Sequence, residues 1–210
     1  MIRKILVIAA AIAMPVSVVA ATGGIAGAAK GPSAATDTAT CTGLSGTVNF
    51  SEPLTSAGYT SGTESSTISG TLSGCSASGS YAVTLSGASI SGTFLGKAAS
   101  AKHPGGTCGG LLGSTKEKGT ITTAWSSTPS VADTTITVKS VTGGTSGNYA
   151  TFSVSGKYKG SFGGSDKGKS SVTQAQTTET TSQLATECAG SGISSINITG
   201  PSSGNPVTLQ

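Results

Sequence analysis

This 210-residue chain predicts an all-β fold: an antiparallel β-sandwich or partly closed barrel of eight or nine strands, with one short C-terminal helix. Three observations point there. Val, Ile, Leu, Phe and Tyr recur at alternate positions, the period at which successive side chains of a strand fall on opposite faces. Most alternating segments are joined by short Gly/Ser-rich links, which suit antiparallel neighbours. Ser, Thr and Gly number 35, 33 and 32; combined with the alternation, this describes a folded domain with an uncharged, Thr-rich surface rather than a disordered stalk.

Residues 1–29 read as a secretory signal peptide. Met1-Ile2-Arg3-Lys4 is a basic start, Ile5 to Ala21 is apolar except for Ser17, and small residues follow. Cleavage fits after Ala21, with Val19 and Ala21 at the critical positions, or after Ala28, with Ala26 and Ala28 there. Pro15 and Gly23-Gly24 are poor choices for an uncleaved spanning helix. Cys41 lies twenty residues beyond Ala21, too far to be an acylated lipoprotein cysteine. The expectation is therefore a secreted protein, extracellular or in the cell envelope, with no stable membrane anchor after cleavage. Residues 30–40 have no pattern and read as a flexible lead-in to a single domain, 41–210.

Within that domain the strands follow in order. Thr47 to Phe50 is the first, and Thr67 to Ser73, with Ile68, Gly70 and Leu72 on one face, the second. Tyr81, Val83 and Leu85 mark a third; after a break at Gly87, Ile90 and Phe94 mark a fourth. Residues 97–118 form a long loop around His103 and Cys108. Ile121 with Trp125 and Ile136 with Val138 give the fifth and sixth. The seventh carries Ala150, Phe152, Val154, Gly156, Tyr158, Gly160 and Phe162 on one parity, as one long strand bent at its glycines or two in tandem. Helical spacing of Thr181, Leu184, Ala185 and Cys188 predicts a helix over 179–189, capped by Thr177 or Thr178 and stopped at Gly190. Ile196 with Ile198 forms a strand after it, and Val207 with Leu209 a last one.

Four cysteines in an exported chain read as a bridge framework, with three connectivities open. A hairpin of the first two strands would bring Cys41, just before one, beside Cys75, just after the other. That favours Cys41 with Cys75 and leaves Cys108 to tie the long loop to the helix at Cys188. Spacings of 34, 33 and 80 contain no C-x-x-C pair, so a metal site shared with His103 is not expected.

Several function classes are disfavoured. Removing residues 1–29 lowers the net charge of +4 by two, and the densest basic cluster, Lys157, Lys159, Lys167 and Lys169, lacks aromatic partners, so nucleic acid is not an expected partner. Gly163 to Ser170 matches G-x-x-x-x-G-K-S, the phosphate-cradling P-loop pattern. In a chain this rich in Gly and Ser the match reads as a surface loop, and the inferred sheet is antiparallel where a P-loop needs a parallel one, so neither nucleotide nor any other cofactor is expected. His103, the sole histidine, sits in the turn His-Pro-Gly-Gly. The carboxylates Glu52, Glu64, Glu117, Asp133, Asp166, Glu179 and Glu187 fall mostly in turns. No catalytic residues are assigned and no enzyme is expected. Trp125, Tyr81 and Tyr158 lie on the apolar parity and read as core. The sequons at Asn49 and Asn197 lie in strands.

The segment Ser153-Val154-Ser155-Gly156-Lys157-Tyr158-Lys159-Gly160-Ser161-Phe162-Gly163-Gly164, the helix ending in Cys188-Ala189, the strand Ile193 to Thr199 and the opening Cys41-Thr42-Gly43-Leu44-Ser45-Gly46 resemble a group of small, uncharacterised exported proteins of actinobacteria. The resemblance covers most of the domain and implies a bacterial source. That group has no assigned activity, so no residue roles carry over. The functional expectation is a secreted, disulfide-bonded, non-catalytic β-domain that binds an extracellular or cell-envelope partner. The alternative is a carrier of a small apolar ligand between its sheets, with a hydrolase third.

Overall fold

A computed structural model of the chain describes residues 38–79, 82–115, 118–162 and 172–209. The strands are β1 (Thr38–Leu54), β2 (Thr63–Ser78), β3 (Thr84–Ala98), β4 (Ser114–Thr115), β5 (Lys118–Thr128), β6 (Thr134–Ser146), β7 (Tyr149–Lys159), β8 (Val172–Thr180), β9 (Ile193–Thr199) and β10 (Val207–Leu209). A 3-10 turn, Cys108–Leu112, precedes β4, and helix α1, Thr181–Ala189, joins β8 to β9. All strands belong to one antiparallel sheet ordered β1-β2-β3-β5-β6-β7-β8-β9. Its ends meet: β9 pairs back onto β1, Thr47 opposite Asn197 and Val48 opposite Ile196. Of the two architectures the sequence allowed, the chain adopts a single closed ring rather than two facing sheets. β10 fits between β1 and β8 where β9 does not run, and β4 flanks β6.

The ring closes around the alternating apolar residues. At one level Ile196, Val48, Ile68, Gly92, Ile121, Ile136 and Tyr158 are successive register partners around seven strands. All but Gly92 are buried. Gly92 is small because its neighbours are not: a Cβ there would lie 2.9 Å from Ile68 Cγ2 and 2.6 Å from the Thr120 carbonyl. Removing each of these Ile and Val side chains from water is worth roughly 1.5–3 kcal/mol, and alternation of large and small residues lets them fill the interior at close-packed density. Among the described residues a cavity lined by residues such as Ile68, Ile121, Phe152 and Val207 has a volume of about 20 Å³. That is room for about one water molecule.

Several elements differ from the sequence reading. The third and fourth expected strands are one, β3. Its register against β5 shifts between Leu85 and Gly87, and this bulge moves the buried parity from Leu85 to Ala88 and Ile90. The alternation that suggested strand as far as Phe162 ends at Lys159; Phe162 turns back with φ 59° and packs its ring edge-on to Trp125, centroids 5.2 Å apart. β8 is not legible in the sequence, because it carries mostly Gln and Thr; from Gln174 to Thr180, where burial is described, only Ala175 and Thr177 are buried. β1 begins at Thr38, so the last residues of the expected lead-in are strand. Helix α1 is capped by Thr180, not Thr177 or Thr178: the Thr180 hydroxyl accepts from the Gln183 N–H, and the Gln183 side chain accepts from the Thr180 N–H.

Candidate functional site at the loop-bearing end of the ring

One end of the ring carries the β1–β2 loop, the β3–β5 connection, the β6–β7 turn and α1. The first two lie against each other. Tyr59 and Gly105 exchange backbone hydrogen bonds of 2.8 Å in both directions, the Thr55 N–H donates to the Gly106 carbonyl at 2.9 Å, and the Cys108 N–H donates to the Thr55 carbonyl at 3.1 Å. Residues 99–107 thus form a strap across the loop end. Gly106, at φ 63°, turns the strap beneath Tyr59, whose ring atom Cε1 would lie 2.4 Å from any Cβ placed there. The bridge Cys108–Cys188 ties the strap's far end to α1, and Cys41–Cys75 joins β1 to β2 where the two residues are direct register partners.

Under the strap lies Glu64, on the inner face of β2 and only 2% exposed. Its Oε2 accepts from the Gly106 N–H at 3.4 Å, while Oε1 has no hydrogen-bond partner among the described residues. Burial raises this carboxyl to about 7, opposed only weakly by the Gly106 bond. Ser66, two residues on along the same face, is also buried with its hydroxyl unpartnered. The Tyr59 hydroxyl is enclosed and unpartnered as well. Burial first, then the negative charges of Glu64 and Glu52, push its ionisation well above the ordinary phenol range. Among the described residues this end of the interior therefore holds three polar groups without a partner, and toward the other end the Tyr158 hydroxyl is buried without one as well, beside a relay that is complete. There, Trp125 Nε1 donates to Thr134 Oγ1 at 2.9 Å, and Thr134 Oγ1 donates to the Ser161 carbonyl.

The residues weighed from sequence are scattered. His103 is exposed on the strap, exchanging backbone bonds with Ser100. Glu52, Asp133 and Glu187 are exposed, and Glu179 accepts from Asn197 Nδ2 at 2.9 Å. Glu117, Asp166, Tyr81 and the P-loop-like Gly163 to Ser170 lie outside the described residues. Among the described residues no three His, Cys, Asp or Glu side chains converge as a metal site, and no helix is long and apolar enough to cross a membrane. In the sequence Glu64 is one carboxylate among several. The signal was present: extending the parity of Ile68 and Leu72 back along β2 puts Glu64 and Ser66 on the apolar face.

The outer face offers a different chemistry. Asn197, Thr47, Ser69, Ser91, Thr122, Thr135 and Lys159 are successive register partners, and beside them run Ser195, Asn49, Thr67, Thr93, Thr120, Thr137 and Lys157. Within these two belts only Ser69 is buried. Neighbouring members stand about 4.8 Å apart along the hydrogen-bonding direction, so the outside of the ring is a regular array of hydroxyl and amide groups that ends at two lysines. Comparison with protein-family models, with curated proteins and with solved structures returns no match.

Proposed function

We propose that this disulfide-bonded β-domain is exported, released and non-catalytic, and that it binds an extracellular or cell-envelope partner through the outer face of its ring. The observation that carries this reading is the pair of polar belts. They present hydroxyl donors and acceptors at strand spacing over six strands, the chemistry suited to a partner rich in hydroxyl and amide groups. Export is supported by the basic, apolar and small-residue order of residues 1–29 together with four cysteines held in two bridges. A non-catalytic role is supported by the burial of Glu64, the carboxyl most displaced in its titration, beneath the strap and out of a substrate's reach. The alternative, a carrier of an apolar ligand, is disfavoured by an interior cavity of about 20 Å³. With it goes our assignment of the chain to the exported actinobacterial proteins that residues 153–164 resemble. The test is retention of the purified mature domain on cell-envelope fractions of such a bacterium. Saturable retention on one fraction supports the reading, and passage through every fraction contradicts it.

A further inference from the structure

The strap closes over a carboxyl that the closed form leaves poorly solvated. Glu64 is 2% exposed, one of its oxygens is unpartnered, and the other receives a single long bond, which comes from the strap itself. Among the described residues no cation pairs with it. Of the charged or titratable groups on the elements around it, Lys97 at the end of β3, Lys102 and His103 on the strap, Lys118 at the start of β5 and Glu52 on β1 are all exposed, and Tyr59 carries a neutral phenol. What holds the strap down is local: four backbone bonds to residues 55 and 59, a fifth from the Ala99 N–H to the Gly62 carbonyl, the packing of Gly105 and Gly106 against the Tyr59 ring, and the Cys108–Cys188 bridge just past its far end. The strands of the ring, by contrast, are joined by continuous ladders. Local opening at this end therefore costs far less than unfolding, and it is the least disruptive way to bring Glu64 into water.

We propose that residues 99–107 are a proton-gated strap: protonated Glu64 keeps it closed over the end of the ring, and ionised Glu64 shifts it toward an open form in which the carboxylate is hydrated. The sign follows from linkage. The closed form binds the proton more tightly than an open form, whose carboxyl would titrate near its ordinary 4.5 rather than about 7. The opening equilibrium therefore rises with pH between these values and levels off above the higher one. Over the whole window the open population grows on the order of a hundredfold. An opened strap would uncover Tyr59, Glu64 and Ser66 together, three oxygens with no other described partner.

The experiment is amide hydrogen exchange by NMR on the mature, oxidised protein from pH 4.5 to 8, with intrinsic exchange rates divided out. The Thr55, Tyr59, Gly105 and Cys108 amides, which bond across the strap contact, report opening; the Ile68 amide in β2 reports the ring. Protection at the four strap amides should fall on the order of a hundredfold with pH, Ile68 should hold its protection, and Glu64→Gln should abolish the pH dependence at the strap. If the fall persists in Glu64→Gln, or if Ile68 loses protection in parallel, the gating is wrong. Should the variant fail to fold, carbon-13 titration of the Glu64 carboxyl in the parent decides. A midpoint near 7, at the pH where the loss of strap protection levels off, supports the gating, and a midpoint near 4.5 overturns it.

Discussion

The Gly106 N–H donates to Glu64 Oε2 across 3.4 Å, so a buried carboxyl at the start of β2 is held by the backbone of a loop more than forty residues later. A single long bond offsets little of the cost of burying a charge. The folded chain consequently favours the protonated acid, which titrates at about 7 against an ordinary 4.5.

This displacement makes global stability depend on pH. The folded state holds the Glu64 proton more tightly than the unfolded chain does, so the contribution is fully present below 4.5, is lost as pH rises to about 7, and is constant above. The loss is on the order of 3 kcal/mol at most. Glu64→Gln, which cannot ionise, should unfold at higher urea than the parent at pH 8 and at nearly the same urea at pH 4. Parallel curves for parent and variant across this range would show that Glu64 is not the group responsible.

At the opposite end, Thr134 relays a hydrogen bond from the Trp125 indole to the Ser161 carbonyl while fully buried. Thr134→Val keeps the shape and removes the relay, leaving a buried N–H and C=O without their partner. The expected loss is about 2–3 kcal/mol, with a change in the fluorescence of Trp125, the only tryptophan. Unchanged stability would mean that water replaces the hydroxyl.

The two bridges differ in what they restrain. Cys41–Cys75 spans 34 residues between strands already paired, whereas Cys108–Cys188 spans 80 and joins a loop to a helix. Replacing Cys108 and Cys188 together by Ser should cost about 2–4 kcal/mol. It should also expose the strap and α1 to limited proteolysis before the ring is cut. Cleavage within β2 or β3 at the same rate would contradict that order.

Helix α1 has nine residues and buries only Leu184 and Cys188, so its capping box matters. Thr180→Ala removes the acceptor for the Gln183 N–H and should destabilise the protein by about 1 kcal/mol, read from thermal unfolding. The same substitution at Thr178, outside the box, is the control and should cost less.

The outline of this fold was legible because side-chain parity in a ring survives even when half the residues are Ser, Thr and Gly. Every apolar position from Ala150 to Tyr158 named from alternation is buried. Where parity shifts, legibility ends. The bulge near Gly87 made one strand look like two, and the turn at Gly160 placed Phe162 in the core without a strand to carry it. β8 was invisible because Ala175 and Thr177, the buried residues among those described there, are too small or too polar to mark a face. Glu64 was hidden for the opposite reason: a carboxylate on an apolar parity reads as the edge of a strand, and only the strap folding over it from residues 99–107 makes it buried. No local pattern announces that contact.

The most direct test of the outer face as the binding surface is to remove hydroxyls from one belt without altering the sheet. Thr67, Thr93 and Thr120 are consecutive register partners and all exposed, and Val has the shape and strand preference of Thr without its hydroxyl. Binding of the Thr67→Val, Thr93→Val, Thr120→Val variant to the retaining envelope fraction should fall at least tenfold below that of the parent while its melting temperature is unchanged. Equal binding by the two proteins would contradict the assignment of function to this face.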